Sequence, residues 1–183
     1  LTLVVSITVM LGGIFSYFEY NDTKEEIGKR ALETAEIVSR LPTIINAFYT
    51  EQPELIIQPK VEEIRRQIGA EFIVVGNTES IRYAHPDPKK IGKTMVGGDN
   101  DPALIDGESY ISEAVGSLGP SLRGKAPIRG VDGEIIGIVS VGFMIEDIKS
   151  IIYNRLLKIS LTSVCVLLFG VMGGIILTRN IRK

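Results

Sequence analysis

The sequence is poor in the residues that build metal sites and disulfide frameworks. Its 183 residues include one cysteine, one histidine and no tryptophan. Cys165 lies in an apolar segment, so an intrachain disulfide and metal sites made of several cysteine or histidine side chains are excluded. We therefore expect no metal and no cofactor, and the lone His85 argues against a hydrolase built on a Ser/His/Asp arrangement.

Charge of either sign is not in excess. The chain has 20 basic and 22 acidic residues, a formal net charge of −2. A surface that binds nucleic acid needs a clear basic excess, so the composition predicts no nucleic-acid partner. The alternatives that remain are a receptor, an enzyme and a purely structural anchor.

Charged residues are also missing from two long segments, 1–18 and 159–178. Each is about as long as a helix that crosses ~30 Å of hydrocarbon. The first segment ends in aromatic residues typical of a membrane interface, and a cleaved signal peptide is its alternative. Basic residues close the second segment, which predicts that this end is cytoplasmic. The basic residues are Arg179, Arg182 and Lys183.

These segments divide the chain into three parts. Residues 1–20 are predicted to be the first transmembrane helix, and 151–183 the second with the start of a cytoplasmic linker. Residues 21–150 would then form one extracytoplasmic domain of a protein in the cell membrane, with the lipid bilayer as its partner.

After the first segment, apolar residues recur at spacings of four and three. This stripe predicts either a coiled-coil seam between two protomers or a helix face docked on the domain. Pro42 should interrupt the helix, and a second helix is predicted from Pro53 to a stop at Gly69. The stripe consists of Ile27, Ala31, Thr34, Val38, Leu41, Ile45 and Phe48.

The rest of the domain is typical of strands. Five β-rich runs separated by Gly, Pro and Asp predict an α+β domain with a five-stranded antiparallel sheet. The connection between the second and third strands, with short helices at 89–92 and 101–105, should form a wall or lid, and residues 99–101 a solvated loop. A helix should follow from Ile145 to Thr178. The predicted strands are 72–75, 81–85, 109–115, 121–129 and 134–143.

The fourth strand has two cations on one face. Arg123 and Lys125 are two residues apart, so both side chains project to the same side of a strand. Ser117 and Ser121, with the backbone N–H groups around Gly119, add neutral donors nearby. This combination suits an oxyanion, although the residues alone fit a solvated hairpin equally well.

A set of motifs in fixed order decides between these alternatives. The chain resembles the extracytoplasmic PAS-type sensor domains of citrate and C4-dicarboxylate receptor histidine kinases, most closely the citrate-sensing CitA type, over residues 21–150. The motifs are RYAHP at 82–86, IGK at 91–93, GGD at 97–99, SYIS at 109–112, GSLG at 116–119 and LRGKAP at 122–127.

The resemblance implies a PAS-like sheet that holds a di- or tricarboxylate. By position, the family's ligand contacts correspond to seven residues of this chain. Two departures are Val74, where a relative has a threonine that assists binding, and Pro120, where a small residue is usual. The implied ligand-binding residues are Arg82, His85, Ser117, Leu118, Arg123, Lys125 and Ser140.

The resemblance also implies a role. We expect a homodimeric transmembrane receptor that binds citrate outside the membrane and moves the second transmembrane helix like a piston. The alternatives are a C4-dicarboxylate sensor with the same architecture and the ligand-binding domain of a chemoreceptor. No kinase domain is expected within these residues, so this part would not be an enzyme. A response regulator would be reached only through the cytoplasmic kinase portion.

Overall fold

The structure, a computed structural model, describes residues 2–181. The side chains at 2–5, 7–9, 166, 167, 170, 171 and 174–181 are not described. The chain forms two compact units: one is Asp22–Ile148, and the other contains the terminal portions up to Asn21 and from Lys149 onward. The predicted division into a domain at 21–150 and two flanking spans stays a prediction.

Proline and glycine residues mark several of the helix boundaries. Pro42 and Pro53 each occupy the first turn of a helix, where a missing N–H costs little, and Gly69 ends α3 at a left-handed φ of 68°. These boundaries confirm the predicted interruption and stop. The helices are α1 Thr2–Ser39, α2 Pro42–Ala47, α3 Pro53–Ile68, α4 Asp101–Leu104 and α5 Ile145–Ile181, with a 3₁₀ turn at Pro88–Lys90.

Five strands form one sheet in the order β2-β1-β5-β4-β3, and every neighbouring pair is antiparallel. This confirms the predicted sheet. β4 begins two residues earlier than expected, because Gly116 and Gly119 pair across a two-residue turn made by Ser117 and Leu118. The strands are β1 Phe72–Asn77, β2 Arg82–Ala84, β3 Tyr110–Gly116, β4 Gly119–Arg129 and β5 Ile135–Met144.

One side of the sheet, here called the helix face, carries the apolar core. Ala31 and Val38 of the predicted stripe are fully buried and belong to the same cluster as Val75 and Val139. A Cβ at Gly124 would overlap the backbone of α1, so the glycine lets helix and sheet approach closely. The stripe is therefore a docked helix face, one of the two alternatives left open by its spacing.

The opposite side of the sheet, here called the cavity face, is lined by every second residue of the same strands. Val74 on β1 pairs with Ser140 on β5, which pairs with Lys125 on β4. Arg123 lies two residues before Lys125, on the same side. The alternation of a strand thus separates the core from the polar residues.

Within the described part of the chain, no helix combines the length and the apolar character that crossing a membrane requires. The two predicted spans, 1–20 and 151–183, remain predictions. Arg182 and Lys183, which belong to the predicted basic end, lie outside the described residues.

Candidate functional site

A cavity of about 340 Å³, including its open mouth, lies on the cavity face. Six of the seven predicted ligand-binding residues line it, and Lys125 does not. The connection between β2 and β3 contributes Met95 and Val96, which confirms that this segment forms a wall. The lining residues are Phe72, Val74, Arg82, His85, Met95, Val96, Gly116, Ser117, Leu118, Gly119, Arg123 and Ser140.

Arg82, at the start of β2, is a buried cation. Only 4% of its surface is exposed, and among the described residues no acidic side chain forms an ion pair with it. Its guanidinium donates to the Lys93 carbonyl oxygen at 3.4 Å, and burial lowers its pKa. A buried charge without an opposite charge is costly, so Arg82 favours an anion in the cavity.

His85 follows β2 and is held from two directions. Gln58 of α3 brackets its backbone, accepting from its N–H at 2.9 Å and donating to its carbonyl oxygen at 3.0 Å. The imidazole Nδ1 accepts from the Asp87 N–H at 2.9 Å, and Nε2 lies 3.1 Å from the Ser117 hydroxyl. These contacts fit the neutral tautomer with the proton on Nε2, which can donate into the cavity.

The electrostatics around His85 also favour the neutral form. Burial, followed by the charges of Arg82 and Lys90, lowers the pKa of His85 to about 4. At neutral pH the imidazole is therefore a neutral hydrogen-bond donor.

Arg123 reaches the cavity from β4 and is held in a fixed orientation. Its Nε donates to the Ser121 hydroxyl at 2.9 Å, and its Nη2 donates to the Ala114 carbonyl oxygen at 3.1 Å. The guanidinium carbon lies 5.8 Å from the centre of the Phe72 ring. Gly142 of β5 pairs with Phe72 of β1 on one side and with Arg123 of β4 on the other. Because it has no side chain, it leaves room for the Phe72 ring.

Lys125 is the predicted site residue that the structure places elsewhere. Its ammonium contacts Asp99 Oδ1 at 2.7 Å, the Asp99 carbonyl oxygen at 2.9 Å and Asn100 Oδ1 at 2.6 Å. Burial is the main reason that its pKa falls to about 8, and Asp99 opposes the shift. Lys125 is therefore on the cavity face but outside the cavity, where the loop residues Asp99 and Asn100 cover its ammonium group.

Asp99 corrects the expectation for residues 99–101. We expected a solvated loop, but Asp99 forms ion pairs with both Lys125 and Arg123 and accepts from the Ser112 hydroxyl at 2.7 Å. Sequence spacing could not reveal this, because the partners lie 13 to 26 residues away on β3 and β4. Within the described residues, no group of three or more His, Cys, Asp or Glu side chains is arranged to hold a metal.

Two further residues at the site were missed by the sequence analysis. Gln58, which positions His85, carries no local signal because its partner lies on another element. Lys90 in the 3₁₀ turn donates to the Ser117 carbonyl oxygen at 3.0 Å and so adds a cation beside the mouth. Together with Arg82, it places positive charge beside the cavity, which suits carboxylates.

Comparison with known proteins agrees with this fold. The family described as single cache domain 3 matches residues 19–156. The solved structure of the Escherichia coli DcuS sensor domain superposes with a TM-score of 0.67 at 30% identity, covering 72% of this chain and 98% of that one.

The sequence relatives are described as sensor proteins and sensor kinases. The chain is 50% identical to the sensor protein CitS of Halalkalibacterium halodurans over 182 residues, 99% of this chain and 34% of the relative. It is 40% identical to the sensor histidine kinase CitA of Klebsiella pneumoniae (82% and 28% covered) and 33% identical to a probable C4-dicarboxylate sensor kinase of Bacillus subtilis (99% and 34%). The chain thus spans about a third of the length of these relatives, and the match over residues 19–156 shows that it belongs to the single cache domain 3 family.

Proposed function

We propose that this chain is the receptor portion of a sensor histidine kinase that binds citrate outside the cell membrane. The observation that carries the proposal is Arg82, a buried cation beside a cavity with no acidic partner among the described residues. Arg123, also buried, lines the same cavity, and two guanidinium groups can hold two carboxylates through paired hydrogen bonds.

The neutral donors support a ligand with oxygen atoms on several sides. Ser140 lies on the floor of the cavity, and Ser117 with its neighbouring backbone lies at the β3–β4 turn. The Nε2–H of His85 points toward the same turn. Carboxylate and hydroxyl groups of a citrate molecule would satisfy these donors.

A C4-dicarboxylate is the second candidate, and a specific observation favours it. Lys125, which would supply the contact for a third carboxylate, is engaged by Asp99. One of the sequence relatives is also described as a probable C4-dicarboxylate sensor kinase. Titration with both acids distinguishes the two candidates.

The test is isothermal titration calorimetry of the 183-residue chain with citrate and with L-malate. We expect citrate to bind and the Arg123→Ala variant to lose at least about 100-fold in affinity, because it removes a charged, bidentate contact. Arg129→Ala is the matched control, since Arg129 is an exposed arginine on the same strand. Binding of neither acid, or equal affinity of the two variants, would refute the site.

The output is proposed from the connection between β5 and α5. Met144 ends the strand and Ile145 begins the helix, so no residue separates them. If a ligand draws β5 toward the cavity, the first turn of α5 has to follow, which supports a piston-like displacement. A cysteine near Leu3 in the first predicted span and one near Arg179 in the second should change their cross-linking rate with citrate. An unchanged rate would exclude the displacement and leave the proposal of citrate binding standing. A chemoreceptor output remains an alternative with the same binding site.

A further inference from the structure

Asp99 lies where an anionic ligand would be expected. We propose that Asp99 is a specificity-determining residue, whose side chain occupies the place on Lys125 and Arg123 that a third ligand carboxylate needs. A tricarboxylate then has to displace Asp99, whereas a dicarboxylate does not. This inference rests on the proposed function, carboxylate binding beside Arg82 and Arg123.

The geometry of Asp99 is that of a bound carboxylate. Its Oδ1 lies 2.7 Å from Lys125 Nζ and 3.2 Å from Arg123 Nη1, so one oxygen bridges the two cations. Its Oδ2 accepts from the Ser112 hydroxyl at 2.7 Å. Partial burial opposes ionisation, but the hydrogen bonds from Lys125 and Ser112 outweigh it and hold the pKa of Asp99 below its ordinary value.

Lys125 has no donor left for a ligand while Asp99 is in place. An ammonium group has three N–H donors. Its three acceptors are Asp99 Oδ1, the Asp99 carbonyl oxygen and Asn100 Oδ1, and its side chain is only 1% exposed. A ligand can therefore reach Lys125 only if Asp99 and Asn100 give up these contacts.

Two glycines precede Asp99 and lower the steric barrier to a change of backbone conformation there. Gly97 and Gly98 have φ angles of 139° and 65°, which favour glycine, and glycine interconverts between backbone regions at little steric cost. Gly97 lies directly against the Arg123 guanidinium, so a change there moves Asp99 relative to both cations. The Asp99 side chain is 18% exposed, which leaves it a path to solvent.

An exchange of carboxylates keeps the buried charges compensated. Removing Asp99 alone would leave Lys125 and Arg123 buried without an anion, which is costly. A third ligand carboxylate that takes the place of Asp99 removes that cost. Arg123 has five N–H donors, and Ser121, Ala114 and Asp99 accept from three of them. A ligand with two carboxylates can bind Arg82 and the two remaining N–H donors of Arg123 and leave the Asp99 ion pairs intact.

The test compares Asp99→Asn with the wild-type chain by calorimetric titration with citrate and with L-malate. The amide keeps the size of the side chain but removes its charge, so it competes less for Lys125. We expect the affinity for citrate to rise about tenfold relative to the affinity for malate. Asp101→Asn is the matched control, because Asp101 is an exposed acid two residues further on, and it should leave the ratio unchanged.

A second variant covers the case in which Asp99→Asn unfolds, which thermal melting without ligand would reveal. Ser112→Ala removes the hydrogen bond to Asp99 Oδ2 and keeps the charge, so it should raise the same ratio by a smaller factor. An equal change in affinity for both ligands, or weaker binding of citrate, would overturn the proposed role of Asp99 but not the proposed function. A wild-type chain and variants that bind neither acid would overturn the proposed function, and this inference with it.

Discussion

Both faces of the sheet bury side chains almost completely, but the buried side chains differ in what they need. The helix face buries apolar side chains such as Val75 and Val139, which need no partner. The cavity face buries Arg82, Arg123 and Lys125, which do. Both faces are built by the same strands, so neighbouring residues of one strand meet different requirements. A residue on the helix face has to fit the apolar core, and a charged residue on the cavity face needs a partner. Variants on the helix face should therefore change stability, and variants on the cavity face should change binding.

The largest effect is expected on the helix face, for Gly124→Ala. A Cβ at this position would overlap the backbone of Ala31 and Leu32, and backbone cannot move aside as a flexible side chain can. We expect the free energy of unfolding to fall by about 3 kcal/mol or more, measured by urea denaturation.

Ser140→Ala provides the contrast on the cavity face. It removes one hydroxyl from the cavity floor, so the free energy of unfolding should change by less than about 1 kcal/mol while affinity for the carboxylate falls.

The Gly124→Ala prediction has its own contradicting outcome. If that variant were as stable as the wild-type chain, α1 would not pack on β4 as described.

An intermediate effect is expected from pH, through His85. Its pKa of about 4 in the folded chain lies below the ordinary value of 6.5. Between these two values the unfolded state binds the proton more readily, so His85 lowers the stability as pH falls from 6.5 toward 4. His85→Gln should lose this part of the pH dependence, measured by thermal melting at several pH values.

The single histidine makes a direct check possible. The imidazole signals of the ligand-free chain should show no titration between pH 8 and pH 5.5 in an NMR experiment. A midpoint near 6.5 would contradict the burial of His85. A bound carboxylate favours the imidazolium and should raise this pKa, so affinity should increase as pH falls through the raised value.

The smallest effect separates the two faces at neighbouring positions. Val74 lines the cavity opposite Ser140, and Val75 lies in the apolar core. Val74→Thr should strengthen carboxylate binding about threefold by adding a donor, with little change in stability. Val75→Thr should leave affinity unchanged and lower the free energy of unfolding by about 1–3 kcal/mol, because its hydroxyl is buried among apolar groups.

Calorimetry and urea denaturation on the same pair of variants would measure both quantities. If Val74→Thr lost stability and Val75→Thr changed the affinity, the assignment of the two faces would be reversed. Equal effects of the two variants would mean that the faces are not functionally distinct.

Local sequence signals predicted most of the fold. Prolines and glycines mark the helix boundaries at Pro42, Pro53 and Gly69, because their backbone preferences act within a few residues. Alternation along β4 correctly placed Arg123 and Lys125 on one face. The β3–β4 turn was less visible, since Ser117 and Leu118 are not typical residues of a two-residue hairpin and Pro120 obscured the start of the strand.

The order of elements, the antiparallel sheet and the set of polar residues directed to one side of it follow from the sequence alone. These depend on periodicity and on residues close together in the chain. Three features required the folded chain: the apolar stripe docks on the sheet, Gln58 holds His85, and Lys125 is engaged by Asp99 rather than lining the cavity. Each of these depends on partners from distant segments, and the balance of burial against charge appears only when the strands bring those partners together.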